Sequence, residues 1–228
     1  MNPRLTVIIP ARNEKDNLNR LLPALLEMDE VKQVIVADGQ SEATQRPDAL
    51  PGVRVLTTEK GRARQMNRAA EEATGDVLWF LHAASVPDSD SGRAIGKAID
   101  QGYAGGCFSL YFYDYDTPLL RYIARNSNRR AKHLRLMFGD QGIFVTRSLF
   151  TQVGGYPVQD LMEDWELSLA MFRNGKVKVL DTPIGTSARR FIDGGTLRTL
   201  LYMHSLKIRY VLGASPEKLA RNYREHKR

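Results

Sequence analysis

Glu163 and Asp164 are adjacent carboxylates heading a segment, 163–173, whose apolar spacing predicts a helix. A carboxylate so placed can serve as a general base, removing the proton of a hydroxyl as its oxygen attacks an electrophile. Acids in a first helical turn are also favoured simply because they face the positive end of the helix dipole. Residue type alone leaves both readings open. A second group is Lys60-Gly61-Arg62-Ala63-Arg64-Gln65, a glycine turn opening a helix predicted over 62–73. Its free backbone N–H groups and its arginines suit a phosphate, although a plain helix-start turn explains Gly61 as well. A third group, His82-Ala83-Ala84-Ser85, follows an apolar run, and a lone histidine there reads as a hydrogen-bonded structural residue. The chain has neither G-x-G-x-x-G nor G-x-x-x-x-G-K-[ST], so dinucleotide and P-loop chemistry lose their main support.

Positioning these groups requires strands that end beside one another. Leu5–Pro10, Val34–Ala37, Val53–Thr57 and Val77–Leu81 read as buried strands, separated by helices predicted over 15–27 and 62–73. That βαβα order predicts an α/β fold, with a mostly parallel or mixed sheet flanked by helices. In such sheets function lies at the carboxyl ends of the strands, where Pro10–Glu14, Asp38–Ser41, Lys60–Asn67 and His82–Ser85 fall. In the second half, strands are expected at 106–113, 142–146 and 177–180. Helices are expected at 119–135, 163–173, about 196–212 and 216–226.

The 228 residues, 43% hydrophobic and 26% charged, form an ordinary globular mixture. No apolar run approaches the ~20 residues of a spanning helix. Leu5–Pro10 is too short for a signal-peptide core, and the single cysteine, Cys107, excludes an internal disulfide and a cysteine-rich metal site. A cytoplasmic protein is expected. The net charge of +7 is carried entirely by residues 185–228, with ten basic and three acidic side chains, while residues 1–184 sum to zero. A nucleic-acid partner is therefore not expected, since the basicity is not spread over the fold and no known motif appears.

The loops taken in order are IIPARNE (8–14), VADGQS (36–41), KGRARQMN (60–67), FLHA (80–83), GDQGIFV (139–145), VGGYP (153–157), LMEDWELS (161–168) and LGASPEKLARNYR (212–224). This series resembles the family 2 glycosyltransferases of the A-type nucleotide-sugar fold, and most closely their bacterial radical-SAM/selenodomain-associated subgroup. The resemblance implies a catalytic domain over 1–190, a helical extension over 191–228, and an inverting transfer of sugar from a nucleotide-sugar donor such as a UDP-sugar. Asp164 would be the general base and Glu163 an acceptor-orienting partner. Pro10, Ala11, Arg12 and Glu14 would surround the base and ribose, and Asp38 would accept a hydrogen bond from uracil. Gly61, Arg62 and Gln65 would lie along the nucleotide and diphosphate, with His82 in the fourth loop. Arg190, within Ser187-Ala188-Arg189-Arg190-Phe191, would offset the charge of the departing diphosphate.

Family members carry an aspartate in the fourth loop that holds a divalent cation. Ala84 stands there, and alanine offers no oxygen to Mn²⁺ or Mg²⁺. The cofactor implied by the resemblance thus lacks its expected ligand, and no metal ligand is assigned. A non-catalytic nucleotide-sugar- or partner-binding member that has lost the aspartate is the alternative reading. Near the end, Leu197, Leu200, Leu201, Ile208, Val211 and Leu212 share a helical sector flanked by Arg198, Lys207 and Arg209. That stripe fits either an anionic membrane surface, with a lipid-linked acceptor, or packing against the rest of the chain. Arg121, Arg125, Arg129, Arg130, Lys132 and Arg135 read as a solvated basic helix face, with an anionic acceptor or lipid headgroup as the second reading.

Overall fold

The computed structural model describes residues 4–43 and 50–225. The end of the last predicted helix and the charges of Lys227 and Arg228 lie outside the described residues. In chain order the elements are β1 (Leu5–Ala11), α1 (Lys15–Leu26), β2 (Val31–Asp38), β3 (Val53–Thr57), α2 (Arg62–Glu71), β4 (Val77–Phe80), β5 (Val86–Pro87), α3 (Ser91–Asp100) and β6 (Gly105–Phe112). There follow α4 (Pro118–Leu134), β7 (Phe144–Thr146), α5 (Arg147–Gln152), α6 (Glu163–Asn174), β8 (Val177–Thr186), α7 (Arg189–Asp193), α8 (Thr196–Val211) and α9 (Pro216–Glu225).

The strands form one sheet in the order β3-β2-β1-β4-β7-β6-β8-β5. β1, β2, β3 and β4 are parallel, whereas β7 joins β4 and β6 antiparallel to both. The sheet is therefore mixed, as the A-type architecture requires. Period-two alternation in β1 sends Leu5, Val7 and Ile9 to one face with Leu18, Leu21, Leu22 and Leu25 of α1. Ile8 points to the other face, against Ala63, Met66 and Ala69 of α2 and Leu167 and Met171 of α6. Both faces are covered, so the central strands are largely apolar, and the buried Thr6 of β1 spends its hydroxyl on Gln33.

β3 corrects one expectation. It forms the sheet edge, with Val55 43% exposed, and is not buried. The sequence also gave no sign of β5, α5 or α7. The expected boundary at 190/191 falls inside α7. α4 begins where Thr117 accepts the Leu120 N–H at 3.2 Å and Pro118 occupies the first turn, where no N–H is needed. Arg130 is not part of a solvated face: its Nη2 donates to Gln141 Oε1 at 3.1 Å and its guanidinium stacks on Phe138 at 4.1 Å. Arg121, Arg125, Arg129 and Lys132 are exposed as expected.

Candidate active site

The carboxyl ends of β1 and β2 are joined by side chains. Asp38, 1% exposed, accepts from the Ser41 N–H at 3.0 Å and from the Ser41 hydroxyl at 2.5 Å through Oδ1. Ser41 Oγ in turn accepts the Asn13 N–H at 2.8 Å, and Asn13 Oδ1 accepts the Glu42 N–H at 2.9 Å. Asn13 takes φ 58°, a left-handed conformation that asparagine tolerates better than most residues. Pro10 and Ala11 end β1, Arg12 is exposed beside them, and Glu14 precedes α1. Gln65 has a definite structural task. Its amide donates to Ala11 O at 2.9 Å and Ala37 O at 2.7 Å, tying the two strand ends to α2 with both N–H groups spent.

Gly61 opens α2 at φ 127°, which only glycine adopts without strain, so the first amides of α2 and the Arg62 side chain point from one corner. Arg62 links three segments: its Nε lies 3.4 Å from Glu163 Oε1, and its Nη2 lies 2.6 Å from His82 Nε2. Arginine has no acceptor, so His82 Nε2 accepts and its proton sits on Nδ1. Burial, with the charges of Arg62 and Arg190, pushes the His82 pKa well below its ordinary value, which keeps the ring neutral. A side chain at Gly139 would collide with this pair, since a Cβ would stand 2.6 Å from Arg62 Nη2 and 2.7 Å from His82 Nε2.

The Gly139 N–H donates to Asp164 Oδ2 at 2.9 Å, while Oδ1 accepts from the Trp165 N–H at 2.9 Å. Glu163 and Asp164 are both buried, at 3% and 8% exposure. Burial raises the pKa of each; Arg62 opposes that rise for both, and the Gly139 amide opposes it for Asp164. Met162, just before the pair, takes φ 67°, a strained conformation for a side chain of that size. It is held by Leu206 of α8 and Leu219 of α9, so the C-terminal helices brace the acid pair.

Those helices, with α7, bring further charged and aromatic side chains to this corner, of which Tyr223 is not among the expected site residues. Lys207 of α8 lies 5.3 Å from the Phe138 ring centre, and burial together with Arg130 lowers its pKa to about 8 against the pull of Asp140 and Asp164. Arg190 lies 4.8 Å over the ring of Tyr223 in α9, whose pKa burial raises while Arg190 and Arg62 oppose the rise. Asp140 bears on both Lys207 and Tyr223. One corner thus joins Arg62, His82, Glu163, Asp164, Arg190 and Tyr223: two buried acids among cations, on the rim where the strands end. Such a corner can take a proton from a hydroxyl and hold a phosphorylated leaving group.

Residues 6–153 match the family model described as Glycosyl transferase family 2. The chain belongs to this family. A curated relative is the "Probable glycosyltransferase YdaM" of Bacillus subtilis (strain 168), 22% identical over 203 residues. That alignment covers 76% of the chain but 47% of the relative, so the chain spans about half its length. Among solved structures, a mannosyltransferase of Pyrobaculum calidifontis in complex with GDP-Man and Mn²⁺ superposes with a TM-score of 0.63 at 19% identity, over 95% of this chain and 67% of that one. Staphylococcus aureus TarS in complex with UDP-GlcNAc gives 0.59 at 17% identity, over 78% and 56%. Glucosyl-3-phosphoglycerate synthase of Mycobacterium tuberculosis, with Mn²⁺, UDP and glucosyl-3-phosphoglycerate, gives 0.55 at 16%, over 79% and 70%. These likenesses establish the fold.

The fourth loop of this family 2 chain does not fit a divalent ion. Ala84 has no donor atom, and His82 Nε2 accepts from the Arg62 guanidinium. Asp88 Oδ1 accepts the Asp90 N–H at 2.9 Å and Asp90 pairs with Arg93, so both acids organise the start of α3. Among the described residues no group of three or more His, Cys, Asp or Glu is arranged to hold a metal.

Proposed function

We propose that the chain transfers a sugar from a nucleoside-diphosphate sugar, with UDP as the first nucleotide to test, to an acceptor hydroxyl with inversion at the anomeric carbon. The observation that carries this is the buried Asp164, fixed by two backbone N–H groups within the field of Arg62. In the step, Asp164 takes the acceptor proton as the acceptor oxygen bonds to the anomeric carbon. The bond from that carbon to the diphosphate oxygen breaks, and its electron pair leaves on the nucleoside diphosphate. Arg62, Arg190 and the first amides of α2 offset that charge, and no step runs through a metal. Glu163, paired with Arg62, orients the acceptor.

On this reading Pro10, Ala11, Arg12 and Glu14 surround the base and ribose, and Asp38 meets the base. Gly61 and Arg62 follow the diphosphate, while Gln65 and His82 hold that rim in shape. GDP-Man, UDP-GlcNAc and UDP in the names of the structural neighbours support a nucleotide donor for the same fold. The motif series favours the radical-SAM/selenodomain-associated subgroup, a catalytic unit over 1–190 followed by a helical extension, and a cytoplasmic setting. Ala84 favours a second reading, a member that binds donor without turning it over. Calorimetry with UDP, in EDTA and in Mn²⁺, tests the first. Binding that is independent of metal is expected, and no binding up to millimolar nucleotide would overturn it.

A further inference from the structure

The outward face of α8 has no covering in the fold. Leu197, Leu201, Ile208 and Val211 are 59%, 62%, 60% and 68% exposed, and Leu212 at the helix end is 80% exposed. Of the six residues in the expected stripe only Leu200 turns inward, packing with Leu120 and Ile123 of α4 and with Ala188. At 100° per residue the exposed side chains run along one side of the helix, with His204 among them. Desolvation, Lys207 and Arg130 lower the His204 pKa, which disfavours a charge within the stripe. Arg198 borders it, exposed. α4 lies alongside through Leu119, Leu120 and Ile123, and presents exposed Tyr122, Arg125, Arg129 and Lys132. The whole +7 charge of the chain sits in residues 185–228.

The inward face of the same helix reaches the acid pair's helix. Tyr210 donates its hydroxyl to Glu166 Oε1 at 2.6 Å and packs against Trp165 at 5.8 Å, one residue beyond Asp164. Leu206, 1% exposed, supports Met162. An interfacial helix sinks its apolar side ~5–10 Å into the headgroup boundary, and a helix is ~10–12 Å across with side chains. A bilayer on the outer face would therefore meet the side of α8 opposite the one that packs on Trp165 and Glu166 of α6.

We propose that α8 docks on an anionic lipid surface, with the α4 cations beside it, so that the acceptor hydroxyl is carried by a lipid headgroup. This rests on the sugar-transfer reading, but docking is measured without transfer. Charge complementarity selects lipid over a second copy of the chain, because two such faces would oppose cation to cation. No helix among the described residues is long and apolar enough to cross a membrane, so attachment is peripheral and reversible.

The test is co-sedimentation of the full chain with phosphatidylcholine vesicles, alone or mixed with phosphatidylglycerol. Binding to the mixed vesicles only, reversed by salt, is expected. Leu201→Glu with Ile208→Glu should lower vesicle binding more than tenfold and leave UDP binding unchanged. Each of Arg125→Gln, Arg129→Gln and Lys132→Gln should lower it about fivefold at low salt. Equal recovery in the supernatant with both vesicles would overturn the proposal. So would concentration-dependent dimers, without vesicle binding, that the paired glutamates abolish. Vesicle binding without any UDP binding would uphold docking while sinking the donor reading.

Discussion

Replacing Gln65 with Leu separates a residue that shapes the rim from one that touches the donor. Gln65 is 5% exposed, and its two amide hydrogens go to Ala11 O and Ala37 O. Ala11 O keeps the Gly39 N–H at 2.9 Å, so neither strand end is wholly abandoned. Losing two neutral hydrogen bonds of ~1 kcal/mol each, with some burden from the buried carbonyls, costs about 2–3 kcal/mol. For a chain of 228 residues that is a fall of about 4–12 °C in Tm, at roughly 2–4 °C per kcal/mol. Gln65→Glu should fall further near neutral pH, because a carboxylate oxygen would face two carbonyl oxygens. That variant should recover part of the loss as pH drops and the acid regains a donor hydrogen. Thermal unfolding followed by circular dichroism reads both, with UDP affinity measured on the same samples well below Tm. Wild-type melting in Gln65→Leu, joined to a tenfold loss of UDP affinity, would refute the structural role and return Gln65 to direct donor contact.

Arg62→Met removes the cation that restrains Glu163 and Asp164, so their pKa values should rise further. A base must be ionised, so the acid limb of the rate profile should move to higher pH and stability should gain at acid pH relative to neutral; an unmoved limb contradicts this. Ala84→Asp places a carboxylate where the fourth loop has none, and Mn²⁺ should then strengthen UDP binding while leaving the parent's affinity unchanged; calorimetry with and without EDTA decides it. Lys207, at about 8, should be acylated by amine reagents at pH 8 well before the exposed lysines, as peptide mass mapping would show. Because its pKa is depressed in the fold, the unfolded chain binds the extra proton between about 8 and its ordinary value, so stability attributable to Lys207 should rise with pH across that window.

The strands of the nucleotide half were legible because the runs Val7–Ile9 and Val34–Ala37 are apolar and buried on both faces. Val53–Thr57 carries the same β-rich composition yet lies at the edge, since strand order is not written in a local run. Gly61 could be read as a helix start because its neighbours leave glycine little else to do. The role of Gln65 could not, since the carbonyls it serves are 54 and 28 residues away. Arg130 looked solvated among other bases on α4, but Phe138 and Gln141 draw it inward. Lys207 and Tyr223 come to the acid pair from remote elements, and only the docking of α8 and α9 places them there. The α8 stripe was visible as a pattern, and its exposure is a property of the packed chain.

The most direct measurement compares sugar transfer by the parent and by Asp164→Asn, alongside UDP binding by each. Asparagine keeps the shape and an acceptor oxygen for the Gly139 N–H but cannot take a proton. Transfer should fall by about 100- to 10 000-fold while UDP affinity stays within twofold or so of the parent. Near-parental turnover by Asp164→Asn would contradict the account and leave Asp164 as the start of a helix.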